Sequence, residues 1–200
     1  MHNLLIKGFA AALVMGAGAG AVTDVGGTKP DVPRDVLNPM IGGQAMLTGA
    51  TIYDNASKSP DHTRLVADIK AAGLAPMLSG SGPYTVFAPT NAAYASQSRS
   101  GAADKSQSAR DVRYLIVPGR YDSQTLLGMI NAKGGEVKLK TVEGGTLTAM
   151  LNGPTNIALV DERGDVADIS IYDVYQKNGV IQVIDNVLHP AGGAKIAARS

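Results

Sequence analysis

The side chains able to do nucleophilic, acid–base or metal chemistry are few and scattered in this 200-residue sequence: three histidines, no cysteine and one dense acidic run. Without cysteine there is no thiol nucleophile, thiolate metal site or disulfide. A serine nucleophile would need a histidine base. Only His62 and His189 lie beyond the amino-terminal segment, and neither has a Gly-x-Ser-x-Gly motif nearby. Asp161, Glu162, Asp165 and Asp168 cluster, but not with the spacing of a calcium loop, so they read as a solvated acidic turn. Inside that run, Arg163-Gly164-Asp165 falls at an expected hairpin tip, where glycine between charges is ordinary turn composition. The residues therefore point to a non-enzymatic protein, with no catalytic or metal-binding residue and no cofactor expected.

Charge narrows the partners. Lys and Arg number 18 against 17 Asp and Glu, a net +1, too balanced for a nucleic-acid binder, which needs a clear basic excess. The distribution is uneven. Arg99, Lys105, Arg110, Arg113, Arg120, Lys133, Lys138 and Lys140 precede an acidic stretch that runs from Asp161 to Asp173. Placed on opposite faces, these would suit a polyanionic envelope component or another copy of the chain.

The amino terminus sets the expected compartment. Lys7 precedes an uncharged stretch of Ala, Leu, Val, Met and Gly, and Ala17, Ala19 and Ala21 satisfy the small-residue cleavage pattern. Residues 1–21 read as a signal peptide, with the mature chain starting near Gly20 or Val22, periplasmic or secreted, and without a membrane span. Residues 22–47, with Pro30, Pro33 and Pro39, read as an extended leader.

The elements follow. A short helix is expected over 51–57, then one opened by Ser59 and Pro60, with Leu65, Val66 and Ile69 on one face and a stop at Gly73-Leu74. Residues 84–87 read as a strand, and Thr90 or Asn91 caps a helix reaching Tyr94. Residues 95–110 lack an apolar face and read as a solvated surface segment, while 114–117 returns to the core before a Pro118-Gly119 turn. Val137 and Leu139 alternate with lysines, Gly144-Gly145 turns, and Leu147, Ala149 and Leu151 alternate again. Further strands are expected at 156–160, 166–171 and 180–184, the last central, since only Gln182 interrupts its apolar run. Helices followed by a run of strands make an α+β domain.

Two stretches carry a family resemblance. Residues 82–94, containing Thr85, Val86, Phe87, Ala88, Pro89, Thr90 and Asn91, resemble the amino-terminal signature of the fasciclin domain, a module of cell-surface and secreted adhesion proteins. Residues 178–190, containing Asn178, Gly179, Val180, Ile181, Val183, Ile184 and Asp185, resemble its carboxyl-terminal signature. The resemblance covers about residues 48–190 and implies a fasciclin domain over 48–191 with a tail over 192–200. It implies a compact β-sandwich or wedge of about seven strands with short helices packed on one side. Capping and turn chemistry account for both signatures, so they are expected to define the fold, with Val86, Phe87, Ile181, Val183 and Leu188 in one core.

The chain departs from the family at Leu115, where a histidine usually follows the tyrosine, here Tyr114, and in the polar 95–110 segment. The resemblance also implies a function: an exported adhesion or interaction module that binds a protein or an envelope polysaccharide. The family's adhesive Asp-Ile pair corresponds to Asp173-Val174, flanked by Tyr172 and Tyr175. The alternative is a carrier of an apolar small molecule such as a pigment, which a groove lined by Tyr94, Tyr114 and Tyr121 would favour.

Overall fold

Local cap and stop signals set most helix boundaries in the computed structural model, which describes residues 38–97 and 105–192. The expected signal peptide over 1–21, most of the leader and the tail beyond 192 lie outside the described residues. A small hairpin, β1 (Met40–Ile41) and β2 (Gln44–Ala45), opens the structure, and Ile41 and Met46 are buried in the core. Helix α1 (Ile52–Lys58) starts with a capping box: the Asp54 N–H donates to Thr51 Oγ1 at 3.1 Å, and the Thr51 N–H donates to Asp54 Oδ2 at 3.2 Å.

Ser59 does not cap the next helix by its side chain. Its hydroxyl pairs with His62 Nδ1 at 2.9 Å, Pro60–His62 form a 3-10 turn, and α2 runs Thr63–Ala71. Leu65, Val66 and Ile69 are buried as the periodicity requires. The stop at Gly73, with φ of 69°, is a Schellman motif, with Leu74 N–H on Ile69 O at 3.0 Å and Gly73 N–H on Lys70 O at 3.1 Å. Helix α3 (Ala75–Ser79) leads into β3 (Tyr84–Pro89), and Thr90 then caps α4 (Asn91–Ser96).

In the expected solvated segment over 95–110, Ala95 and Ser96 end α4 and are exposed, residues 98–104 lie outside the described residues, and the last part is corrected: α5 occupies Lys105–Tyr114. Its polar composition hides it because only its end enters the core, through Val112 and Tyr114, while Arg113 reaches back to Ala72 O on α2's cap at 3.1 Å. Strand β4 (Ile116–Pro118) follows, then α6 (Ser123–Ala132), a helix absent from the sequence reading and capped by Asp122. Four antiparallel strands come next: β5 (Glu136–Lys140), β6 (Thr146–Leu151), β7 (Ile157–Val160) and β8 (Val166–Gln176), and β9 (Gly179–Ile184) completes the set.

The large sheet has the order β4-β3-β9-β8-β7-β6-β5, antiparallel throughout except for the parallel pair β3 and β9. Every residue of β9 is buried, as expected of a strand covered on both faces. Val142 N–H donates to Ile116 O at 2.8 Å and Glu143 N–H to Arg113 O at 3.2 Å, so the chain after β5 returns to β4 and the sheet nearly closes into a barrel. Val86, Phe87, Ile181, Val183 and Leu188 lie in one core cluster. Leu115 is also wholly buried there, an apolar side chain that needs no hydrogen-bond partner.

Candidate functional site

Strand β8 is five residues longer than the sequence suggested, ending at 176 and not 171, because it absorbs two bulges. Ile171 pairs with Val183 and Val174 with Ile181, so three steps along β8 match two along β9. Tyr172 and Asp173 occupy that bulge. Asp173 has φ of 57°, the only left-handed non-glycine among the described residues, a conformation its short polar side chain tolerates.

The Asp173 carboxylate is engaged from two directions. Oδ1 accepts from Ser123 N–H at 2.7 Å and Gln182 Nε2 at 2.8 Å, and Oδ2 accepts from the Ser123 hydroxyl. The Asp173 N–H donates back to Gln182 Oε1 at 3.0 Å. An acid at the amino end of α6 is favoured by the helix dipole. Gln182, the one polar residue in the buried central strand, thus fixes the bulge.

The structure brings the four expected adhesion residues together but presents them differently. Val174 is wholly buried, and Asp173 is half-buried. The Tyr172 hydroxyl donates to Asn156 Oδ1 at 2.7 Å and accepts from Ile157 N–H at 2.9 Å, leaving the ring half-buried. The Tyr175 backbone is bracketed by Asn38, whose Oδ1 accepts its N–H at 2.8 Å and whose Nδ2 donates to its carbonyl at 2.6 Å. Burial, with Asp173 and Asp122 nearby, pushes the Tyr175 phenol up to about 12, so it stays a neutral donor.

The expected solvated acidic turn is corrected at Asp161, which is 6% exposed. Its Oδ1 accepts from the N–H groups of Arg163 at 2.8 Å and Asp165 at 2.9 Å, and its Oδ2 from His189 N–H at 2.9 Å. The carboxylate is buried because the turn and the carboxyl-terminal segment both need an acceptor there. Arg163, Gly164 and Asp165 are exposed at the turn, with Arg163 Nε on Pro190 O at 2.9 Å.

Both histidines among the described residues are internal. His189 sits 3.1 Å from Asp111 and 2.8 Å from Gln97 Oε1, tying α5 and the end of α4 to the carboxyl-terminal segment. His62 is 2% exposed and faces a narrow apolar crevice bordered by Ile41, Met46, Ile52, Leu65 and Val86, beneath the β1–β2 hairpin. Its pairing with Ser59 resembles a nucleophile and base, but both side chains are buried, and the other residues named around the crevice are apolar.

Burial holds the His62 imidazole below its ordinary 6.5, only partly offset by the Ala88 backbone and Asp61. The native state therefore favours the neutral ring more than the unfolded state does. Its stability contribution is complete above about pH 6.5 and is lost as pH falls from there towards the folded value. Urea midpoints measured from pH 7 to 5 should fall for the wild type, and His62→Asn should remove that part of the slope. An unchanged slope would show that His62 is not the group responsible.

Tyr94, Tyr114 and Tyr121 do not line one groove. Tyr114 is wholly buried with its hydroxyl on Thr146 O at 2.6 Å, Tyr121 packs on Gly119, and Tyr94 lies under Arg64, whose guanidinium carbon is 5.8 Å from the ring centre. Among the described residues, no group of three or more His, Cys, Asp or Glu could hold a metal ion.

The fasciclin-domain family model matches residues 60–190, which span β3, β9 and the whole large sheet. The chain belongs to the fasciclin family. This fasciclin domain is similar to protein sll1483 of Synechocystis, with 32% identity over 142 residues, covering 70% of this chain and 73% of that protein. It is also similar to the transforming growth factor-beta-induced protein ig-h3 of Sus scrofa, 29% identical over 140 residues, but spans only 19% of that protein's length. A FAS1 domain pair from the insect cell adhesion molecule fasciclin I shares the fold, with a TM-score of 0.60 at 16% identity, over 70% of this chain and 50% of that one.

In this fasciclin domain the two signatures lie side by side, Tyr84 opposite Gly179 through Pro89 opposite Ile184. Thr85 Oγ1 donates to Gly119 O at 2.8 Å, and Asp185 Oδ1 accepts from Asp168 N–H at 2.8 Å. Asn91 serves a neighbouring element, accepting from Arg64 N–H at 3.0 Å and donating to Pro60 O at 2.8 Å across the start of α2. A Cβ on Gly179 would fall 1.9 Å from Tyr84 O, which explains that glycine. Ser123, Gln182 and Asn38 are the members of the bulge site that the sequence reading missed. Gln182 carried a signal, since a lone amide in a buried strand needs partners.

Proposed function

We propose that this fasciclin domain is an exported adhesion or interaction module that binds a protein or an envelope polysaccharide through the β8 bulge. Fasciclin domains are generally interaction modules, and the insect cell adhesion molecule that shares the fold fits that reading. The observation that carries the placement is the bulge itself. Two half-buried tyrosine rings flank an aspartate locked in a left-handed conformation by Gln182 and Ser123, which presents aromatic surface at little entropic cost. Asp173 then acts by positioning and Tyr175 by contact. The chain's signal-like amino terminus supports a periplasmic or secreted location, and its balanced charge supports a partner other than nucleic acid. No helix among the described residues is long and apolar enough to cross a membrane.

The test is attachment of the purified domain to envelope protein and polysaccharide fractions. Tyr175→Ala should keep cooperative unfolding and weaken attachment by roughly tenfold or more, as for an aromatic hot spot. Attachment unchanged by Tyr175→Ala and Tyr172→Ala, but abolished by deleting residues 98–104, would move the surface to that segment. The alternative, a carrier of an apolar small molecule, gains little from the crevice beneath the β1–β2 hairpin, whose free space is about that of one water. Organic extraction of the native protein decides it: an apolar compound in stoichiometric amount supports it, and none removes it.

A further inference from the structure

The sequence holds two Asn-Gly pairs, Asn152-Gly153 and Asn178-Gly179, and the fold treats them oppositely. Asn178 is 2% exposed with its amide held three ways: Oδ1 accepts from Ile52 N–H at 2.9 Å, and Nδ2 donates to Leu78 O and Gly80 O, both at 2.8 Å. Its glycine is fixed in β9. Asn152 lies in the exposed turn between β6 and β7, where its Nδ2 meets only the Asp168 carboxylate, at 3.0 and 3.2 Å. Gly153 has open space around its Cα, and among the described residues no hydrogen bond holds its N–H.

We propose that Asn152 is a site of spontaneous deamidation, a slow covalent switch that converts a neutral amide into a charge facing Asp168. The Gly153 backbone nitrogen attacks the Asn152 side-chain carbonyl carbon. The new C–N bond closes a five-membered imide, the attacking nitrogen loses its proton, and the side-chain nitrogen leaves as ammonia. One water then opens the ring to aspartate or isoaspartate. No side chain on residue 153 obstructs the attack, and the unbonded N–H is free to reach the carbonyl. The same reaction at Asn178 would break the three hydrogen bonds that hold its buried amide and pull Gly179 from the sheet.

The product has a structural effect because of its neighbour. Asn152 now donates to Asp168, whose own N–H is held by Asp185. A carboxylate at 152 has no hydrogen to donate and places like charge against Asp168, which loosens the turn and adds a negative charge to the outer face of β6–β8.

The full chain, incubated in warm, mildly alkaline buffer and digested, should show the peptide containing residue 152 gaining about 1 Da, with isoaspartate present, before the Asn178 peptide changes. Conversion at Asn178 at an equal rate, or an intact Asn152 when other asparagines have converted, would overturn the proposal. Asn152→Asp should lower the thermal midpoint by roughly 1–4 °C at neutral pH. Asn152→Gln should neither convert nor lose as much. A midpoint for Asn152→Asp equal to the wild type would refute the effect assigned to Asp168.

Discussion

Replacing Phe87 by alanine should remove about 3–5 kcal/mol of stability, the range for truncating a buried aromatic ring. Phe87 is wholly buried in β3, between Leu115, just before β4, whose O accepts its N–H at 2.9 Å, and β9, where it lies opposite Gln182. Strands on both sides limit collapse into the space left behind, so the cost belongs in the upper part of that range. Against a total stability of roughly 5–15 kcal/mol the loss is large, and for a domain of this size it lowers the thermal midpoint by roughly 6–20 °C. Urea unfolding of wild type and variant measures it. A loss under about 1 kcal/mol, the level of surface substitutions, would mean that β3 is not the centre of the core.

Asn178→Ala should cost a similar amount by a different route. The truncation removes no large apolar volume, but it strips the partners from Ile52 N–H, Leu78 O and Gly80 O together. Each buried group left without a partner costs about 1–3 kcal/mol, which puts the sum near 3–6 kcal/mol after some rehydration at Gly80. The substitution also unties α1 and α3 from the start of β9, so amide exchange should accelerate over residues 52–58 and 75–79 before it does in the sheet. Uniform acceleration with a stability loss under about 1 kcal/mol would show that the Asn178 amide does not link these helices to the sheet.

What could be seen in the sequence was whatever the chain decides within a few residues. Thr90 caps α4, Gly73 stops α2 and the alternation at Val137 and Leu139 sets the buried face of β5, all by local rules. Helix α6 follows the same local rules, with Asp122 as cap and Leu126 and Ile130 four apart and buried, but the sequence reading missed it because the segment carries no charge to mark a solvent face. The bulge site was legible only in part. Tyr172 to Tyr175 are neighbours in the chain, whereas Ser123 and Asn38 reach them from 50 and 137 residues away. Asp161 was hidden for the same reason, since its burial depends on His189, 28 residues later. Composition alone reads an acid in a turn as solvated, and only the tertiary donors say otherwise.

The parallel pairing of β3 with β9 has a consequence for the order of events during synthesis. Tyr84 waits for Gly179, a separation of 95 residues, and the strand it waits for is both the last of the sheet in chain order and the one that joins β3 to β8. Until it emerges, the antiparallel pair of β3 and β4 has one side unpaired, and the antiparallel run from β5 to β8 lacks the strand that joins it to them. Each half is a sheet with a raw edge, a short-lived aggregation hazard. The loop-closing entropy therefore falls due only when β9 is available, so the domain stays in open pieces until then and closes in one late step.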